Sequence, residues 1–134
     1  SAGNIHNQSW HQDSNPMFGS RPLLTLWIPL QPDSGISRPG IRVMKVPVSR
    51  FYADIGDGYN GAIAELSQHY GTIAVETPLV NAGDAVIFNG LTFHETFSTT
   101  EMTHHRDALL VRVVRTQEAK HFPTDRKNDI IVHF

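Results

Sequence analysis

The chain has 134 residues, 40% of them hydrophobic, and a formal net charge of -2 at pH 7, which suits one globular domain with a modest core. With its positive residues scattered and no basic stripe, it offers no electrostatic case for binding nucleic acid or an anionic membrane surface. The absence of cysteine excludes disulfide scaffolds, thiolate zinc sites and thiol nucleophiles.

Eight prolines and ten glycines break the chain into short segments, which favours an all-β or β-rich domain over a helical bundle. No apolar run approaches the roughly 20 residues needed to span a bilayer, and the N-terminus lacks the apolar core of a signal peptide. A cytoplasmic enzyme is the default expectation. In chain order, residues 3–13 read as a first extended stretch ending in Trp10-His11-Gln12-Asp13. Residues 14–22 carry turn chemistry and read as a mobile loop in which Met17, Phe18 and Arg21 are placed for a lid or substrate contact. Residues 23–30 are apolar on both faces, as in a buried strand. A Pro/Gly/Ser-rich connection leads to a strand over 41–47, with Pro47 near its end.

Residues 60–70 are the one good helix candidate: Asn60 is placed to cap it, Ala62, Ile63, Leu66 and Tyr70 fall at helical spacing, and Gly71 stops it. Strands are expected over 72–79 and 85–88, separated by an Asn-Ala-Gly-Asp turn at 81–84. Residues 94–99 should be extended, and 107–115 is the clearest β signal. A polar surface excursion over 116–129 and an edge strand over 129–134 complete the chain. About seven short strands and one helix point to a sandwich or jelly-roll.

The chemistry lies in His11, Asp13 and His94. His11 and Asp13 are two residues apart, so in an extended segment both side chains leave one face. Random placement of the histidines and aspartates gives about half a His-x-Asp match in such a chain, and the bland reading is a pair of turn residues. Context raises the pair, because it closes an expected strand beside a tryptophan. A second histidine would complete two imidazoles and a carboxylate on one metal, the facial arrangement of non-haem Fe(II) oxygenases. His94 gains weight from the preceding Ala-Gly-Asp-Ala-Val-Ile-Phe segment, and Thr96 shares its face. Arg106 opens the strand 107–115; its planar fork matches a carboxylate in a way lysine does not. A surface pairing with Asp84 or Glu101 is its bland alternative.

Taken together, Trp-His-Gln-Asp, Trp-Ile-Pro-Leu, Ala-Gly-Asp-Ala-Val-Ile-Phe, His-Glu-Thr and Arg-Asp-Ala-Leu-Leu-Val-Arg resemble the phytanoyl-CoA dioxygenase family of Fe(II)/2-oxoglutarate oxygenases, over residues 10 to about 115. The resemblance implies a double-stranded β-helix (a jelly-roll) with His11, Asp13 and His94 as iron ligands. It implies 2-oxoglutarate as cosubstrate, its far carboxylate on Arg106 and a hydroxyl contact from Thr96, with Trp27 and Gln12 lining the pocket. Arg112 shares strand parity with Arg106 and is the back-up cosubstrate arginine, or else a structural or pocket-lining residue. The implied reaction is hydroxylation of a C–H bond of a small metabolite by dioxygen, with 2-oxoglutarate decarboxylated to succinate. Halogenating relatives carry a small residue where Asp13 stands, so the carboxylate favours hydroxylation. Three features depart from the family pattern. Only ten residues precede the His-x-Asp motif where family members carry a long region, the segment before Arg106 lacks the usual Asn-containing loop, and the stretch between the Trp-Ile-Pro-Leu strand and the helix is hard to align.

Two other functions fit parts of the pattern. A divalent-metal hydrolase would use the same three ligands around an open water site, with His104-His105 as extra ligands or base. A non-catalytic β-barrel module would keep the motifs for binding or assembly, its unpaired strand edges favouring homo-oligomers. Phe88, Phe93 and Phe97 read as core, and His69, His121 and His133 as surface residues.

Overall fold

The computed structural model describes residues 8–14 and 23–114. The expectations for 1–7, 15–22 and 115–134, including Met17, Phe18, Arg21, His121, His133 and the final edge strand, lie outside the described residues. Among the described residues six strands and one helix follow in order: β1 (Leu23–Pro29), β2 (Gly40–Met44), α1 (Asn60–Tyr70), β3 (Val75–Glu76), β4 (Val86–Asn89), β5 (His94–Phe97) and β6 (Ala108–Val114). They form two antiparallel three-stranded sheets, ordered β4-β1-β6 and β3-β2-β5. The β-rich expectation holds at that level. Consecutive strands β4, β5 and β6 alternate between the sheets, so each connection passes from one sheet to the other.

The strand β1 shows how the interior forms. Leu23, Thr25, Trp27 and Pro29 are buried, while Leu24 is 46% exposed. The expectation of burial on both faces is therefore corrected: only alternate residues face the second sheet, as the period of two requires. Trp27 and Phe88 from the first sheet meet Ile41 from the second, together with Val80. On the outer side of the first sheet Leu24, Ile87, Leu109 and Val113 are exposed among the described residues.

The second sheet is backed by α1. Leu66 meets Met44 and the fully buried Phe93, with Trp10, Tyr52, Ile63 and Ile73 around them. The cap differs from expectation. Asn60 is the first helical residue, and the cap position belongs to Tyr59 in a left-handed conformation (φ 65°). Asp57 does the capping chemistry, its carboxylate accepting from the Tyr59 and Gly61 N–H groups at 3.0 and 2.8 Å. Gly71 ends the helix as expected, at φ 76°, its N–H on the Ser67 carbonyl.

Other boundaries moved for local reasons. The strand expected over 72–79 is only Val75–Glu76; Pro78 lacks the N–H a ladder needs. The Asn81–Asp84 turn forms, with Asp84 N–H on the Asn81 carbonyl at 3.0 Å and Gly83 at φ 97°. At Gly40 an added Cβ would fall 2.8 Å from the Gly35 Cα and 2.9 Å from its nitrogen. Since that neighbour is backbone, Gly40→Ala should lose about 2 kcal/mol through overpacking. Urea denaturation at unchanged slope measures it, and a midpoint equal to that of the parent chain refutes the close-approach role.

Candidate metal centre

The segment carrying His11 runs antiparallel along β5. His11 N–H donates to the His94 carbonyl at 3.0 Å, His94 N–H returns the bond at 3.1 Å, and Thr96 N–H donates to the Gln8 carbonyl at 2.8 Å. His11 and His94 are thus directly opposed, with ring centroids 4.2 Å apart. The alternation inferred from the sequence places Asp13 on the same face as His11. His11, Asp13 and His94 bring one ligand atom each within 4.8 Å of one another. The three expected ligands converge.

The segment is pinned from its other side. Gln12, 6% exposed, donates through Nε2 to the Arg50 and Leu91 carbonyls at 3.2 and 2.6 Å, while its Oε1 accepts from the Tyr52 N–H at 2.8 Å. Those bonds commit the amide to a structural clasp, and the cosubstrate contact expected of Gln12 finds no support. The Arg42 guanidinium lies 5.7 Å from the Trp10 ring and 5.5 Å from that of Phe97, and it pairs with Glu95 across the β2–β5 ladder.

Asp13 crosses to the first sheet. Its Oδ2 accepts from the Thr25 hydroxyl at 2.5 Å and its Oδ1 from Arg112 Nη2 at 3.0 Å, with His94 Nε2 3.9 Å from Oδ1. Thr25 and Arg112 are direct cross-strand partners on β1 and β6. Burial alone would push the Asp13 carboxyl up, but the Arg112 charge, the Thr25 hydroxyl and His94 together hold it below its ordinary value. His94 is pushed down to about 4, chiefly by burial and then by neighbouring His11, against the opposing pull of the Thr92 carbonyl and Asp13.

This donor set fits a divalent metal. His94 Nδ1–H donates to the Thr92 carbonyl at 3.0 Å and His11 Nδ1–H to the Ser9 carbonyl at 2.7 Å. Each ring is thereby fixed in the tautomer whose Nε2 keeps its lone pair, the usual outer-shell arrangement of metal-binding histidine. His94 is neutral near pH 7, as a ligand must be.

Arg106 does not touch the cluster. Its guanidinium lies 5.1 Å from the Trp27 ring and donates to the Gly40 carbonyl at 3.1 Å. Its Nε is buried with no partner among the described residues, and burial lowers its pKa against the pull of Asp107. Trp27 is 4% exposed, in the core between the sheets. Thr96 is half-buried on β5, opposite Ile41. Phe88, in the core as expected, also packs its ring 4.4 Å from that of His94. His104 and His105 are exposed, and neither belongs to the cluster. A hollow of about 610 Å³ between α1 and β3, lined in part by Met44, Ile63 and Val75, contains none of the candidate residues.

Two contacts were missing from the sequence-derived site. Thr25 was not singled out, although a hydroxyl at an inward position of an otherwise apolar strand was its signal. For Arg112, strand parity shows a shared face but not the bond to Asp13 that the fold makes, a contact that accords with its reading as a structural residue. In comparisons with protein-family models, curated proteins and solved structures, the chain matches none.

The His94 shift sets a pH dependence for the metal-free protein. The unfolded chain takes up this proton near pH 6.5 and the folded chain only near 4, so stability is full above 6.5 and falls as the pH drops towards 4. The loss should be on the order of 3 kcal/mol. Urea unfolding across that range measures it, and His94→Gln should flatten the slope; an equally steep slope in that variant would remove His94 as the cause.

Proposed function

We propose that the protein is an Fe(II)/2-oxoglutarate-dependent oxygenase that hydroxylates a C–H bond of a small metabolite. The observation that carries this reading is the convergence of His11, Asp13 and His94 between two sheets, both imidazoles offering Nε2. The resemblance to the phytanoyl-CoA dioxygenase family supports it, and under it the two sheets are the halves of a double-stranded β-helix. Arg106 adds a second support, being a half-buried cation whose enclosed Nε is unpartnered beside Trp27, suited to the far carboxylate of 2-oxoglutarate.

When bound, Fe(II) and 2-oxoglutarate supply the oxidising chemistry: one atom of dioxygen enters the substrate as hydroxyl and the other enters succinate, with carbon dioxide released. The chain's own residues have defined tasks. Thr25 and Arg112 orient the Asp13 carboxylate, and the Ser9 and Thr92 carbonyls fix the two imidazoles. Trp27 and Phe88 form the apolar wall that excludes water. Among the described residues no helix is long and apolar enough to cross a membrane.

Calorimetry tests the proposal. The protein should bind 2-oxoglutarate only with Fe(II) or Mn(II) present. Asp13→Ala and His94→Ala should each weaken metal binding about 100-fold or more, and Arg106→Met should lose the cosubstrate while still binding metal. Metal binding that leaves 2-oxoglutarate affinity unchanged favours a hydrolytic metal site and would falsify the oxygenase assignment.

A further inference from the structure

Arg112 is an exposed neighbour of the two most enclosed groups of the cluster. Its side chain is 35% exposed, against 4% for Asp13 and 6% for His94. Among the described residues its hydrogen bond goes to Asp13 alone, through one Nη2. A guanidinium carries five donors in a planar fork, so most of that fork is open to another acceptor.

Its placement is unfavourable for orienting a metal ligand alone. Thr25 already fixes one Asp13 oxygen, and a neutral donor could fix the other. A permanent cation there opposes a divalent ion held by the same carboxylate. An anion on the far side of the fork offsets that repulsion. Arg106 is placed for the far carboxylate of the cosubstrate, beside Trp27 and Gly40, whereas Arg112 stands a third exposed beside Asp13.

From this we infer that the substrate is a small carboxylate whose carboxylate group docks on Arg112, so that the C–H bond oxidised lies within a few bonds of that group. The inference rests on the oxygenase reading above and names its substrate class. Planar two-point recognition by the fork would select carboxylates over the corresponding amides.

The test uses the full chain loaded with Mn(II) and 2-oxoglutarate, with butanoate against butanamide and benzoate against benzamide as probes. The readout is paramagnetic relaxation of the probe protons by Mn(II). The carboxylate of each pair should relax about tenfold more than its amide, most strongly at protons nearest the carboxylate. Arg112→Met should remove about tenfold more probe relaxation than 2-oxoglutarate affinity. Arg112→Gln, which keeps a hydrogen-bond donor at the position and so guards against misfolding, should do the same. Equal relaxation of carboxylate and amide, or none from either, overturns the inference. So does an equal loss of probe and 2-oxoglutarate binding in both variants, which would leave Arg112 with its hold on Asp13 alone. Absence of Mn(II)-dependent 2-oxoglutarate binding in the parent chain overturns the oxygenase reading itself, and is recognised before any probe is added.

Discussion

The Asp13 carboxylate is the constraint on which the site depends. Its backbone lies in the segment that runs along β5 of one sheet, yet its two oxygens are held by Thr25 on β1 and Arg112 on β6 of the other. A buried carboxylate without such partners is costly, so the two sheets are coupled through it. The core formed by Trp27, Ile41 and Phe88 fixes the spacing between the sheets, and that spacing sets how near Asp13 comes to His94. Packing and ligand geometry are one problem here.

Register is the second constraint. A slip of one residue between the Gln8–Ser14 segment and β5 would turn His11 and Asp13 outward and bring Gln12 in. Gln12 opposes that slip from the outer side, because its three hydrogen bonds to the backbone at Arg50, Tyr52 and Leu91 exist in only one register. Trp10, stacked on Arg42, adds a second fixed point on the same side. The residues between and beside the ligands are therefore committed to holding the strand in place. This gives Gln12 a physical role different from lining a pocket, while Trp10 earns its place next to the His-x-Asp pair through packing.

Features governed by local periodicity were legible in the sequence. The helix over 60–70 follows from spacing and from Gly71, and the shared face of His11 and Asp13 follows from the alternation of an extended chain. The Asn81–Asp84 turn follows from its own side-chain chemistry. What was not legible depends on pairings between distant segments. Nothing near Thr25 announces that Arg112 will oppose it, yet that register decides which groups reach Asp13. Asp57, three residues before Asn60, took the capping role because Tyr59 adopts a left-handed conformation that local propensity does not favour. In β1, hydrophobic content concealed the fact that one face meets the second sheet and the other does not.

Burial then divides two chemically identical side chains into different roles. Arg106 and Arg112 share a face by parity, but one is enclosed beside Trp27 and the other stands a third exposed over Asp13. Enclosure makes the unmet Nε donor of Arg106 expensive. Partial exposure lets Arg112 exchange partners with solvent at lower cost. The same gradient keeps His94 neutral, since burial acts on the imidazole more strongly than the attraction of Asp13. The space between the two sheets, graded from dry at Trp27 to wet at Arg112, thus sets a neutral imidazole beside two arginines of different exposure.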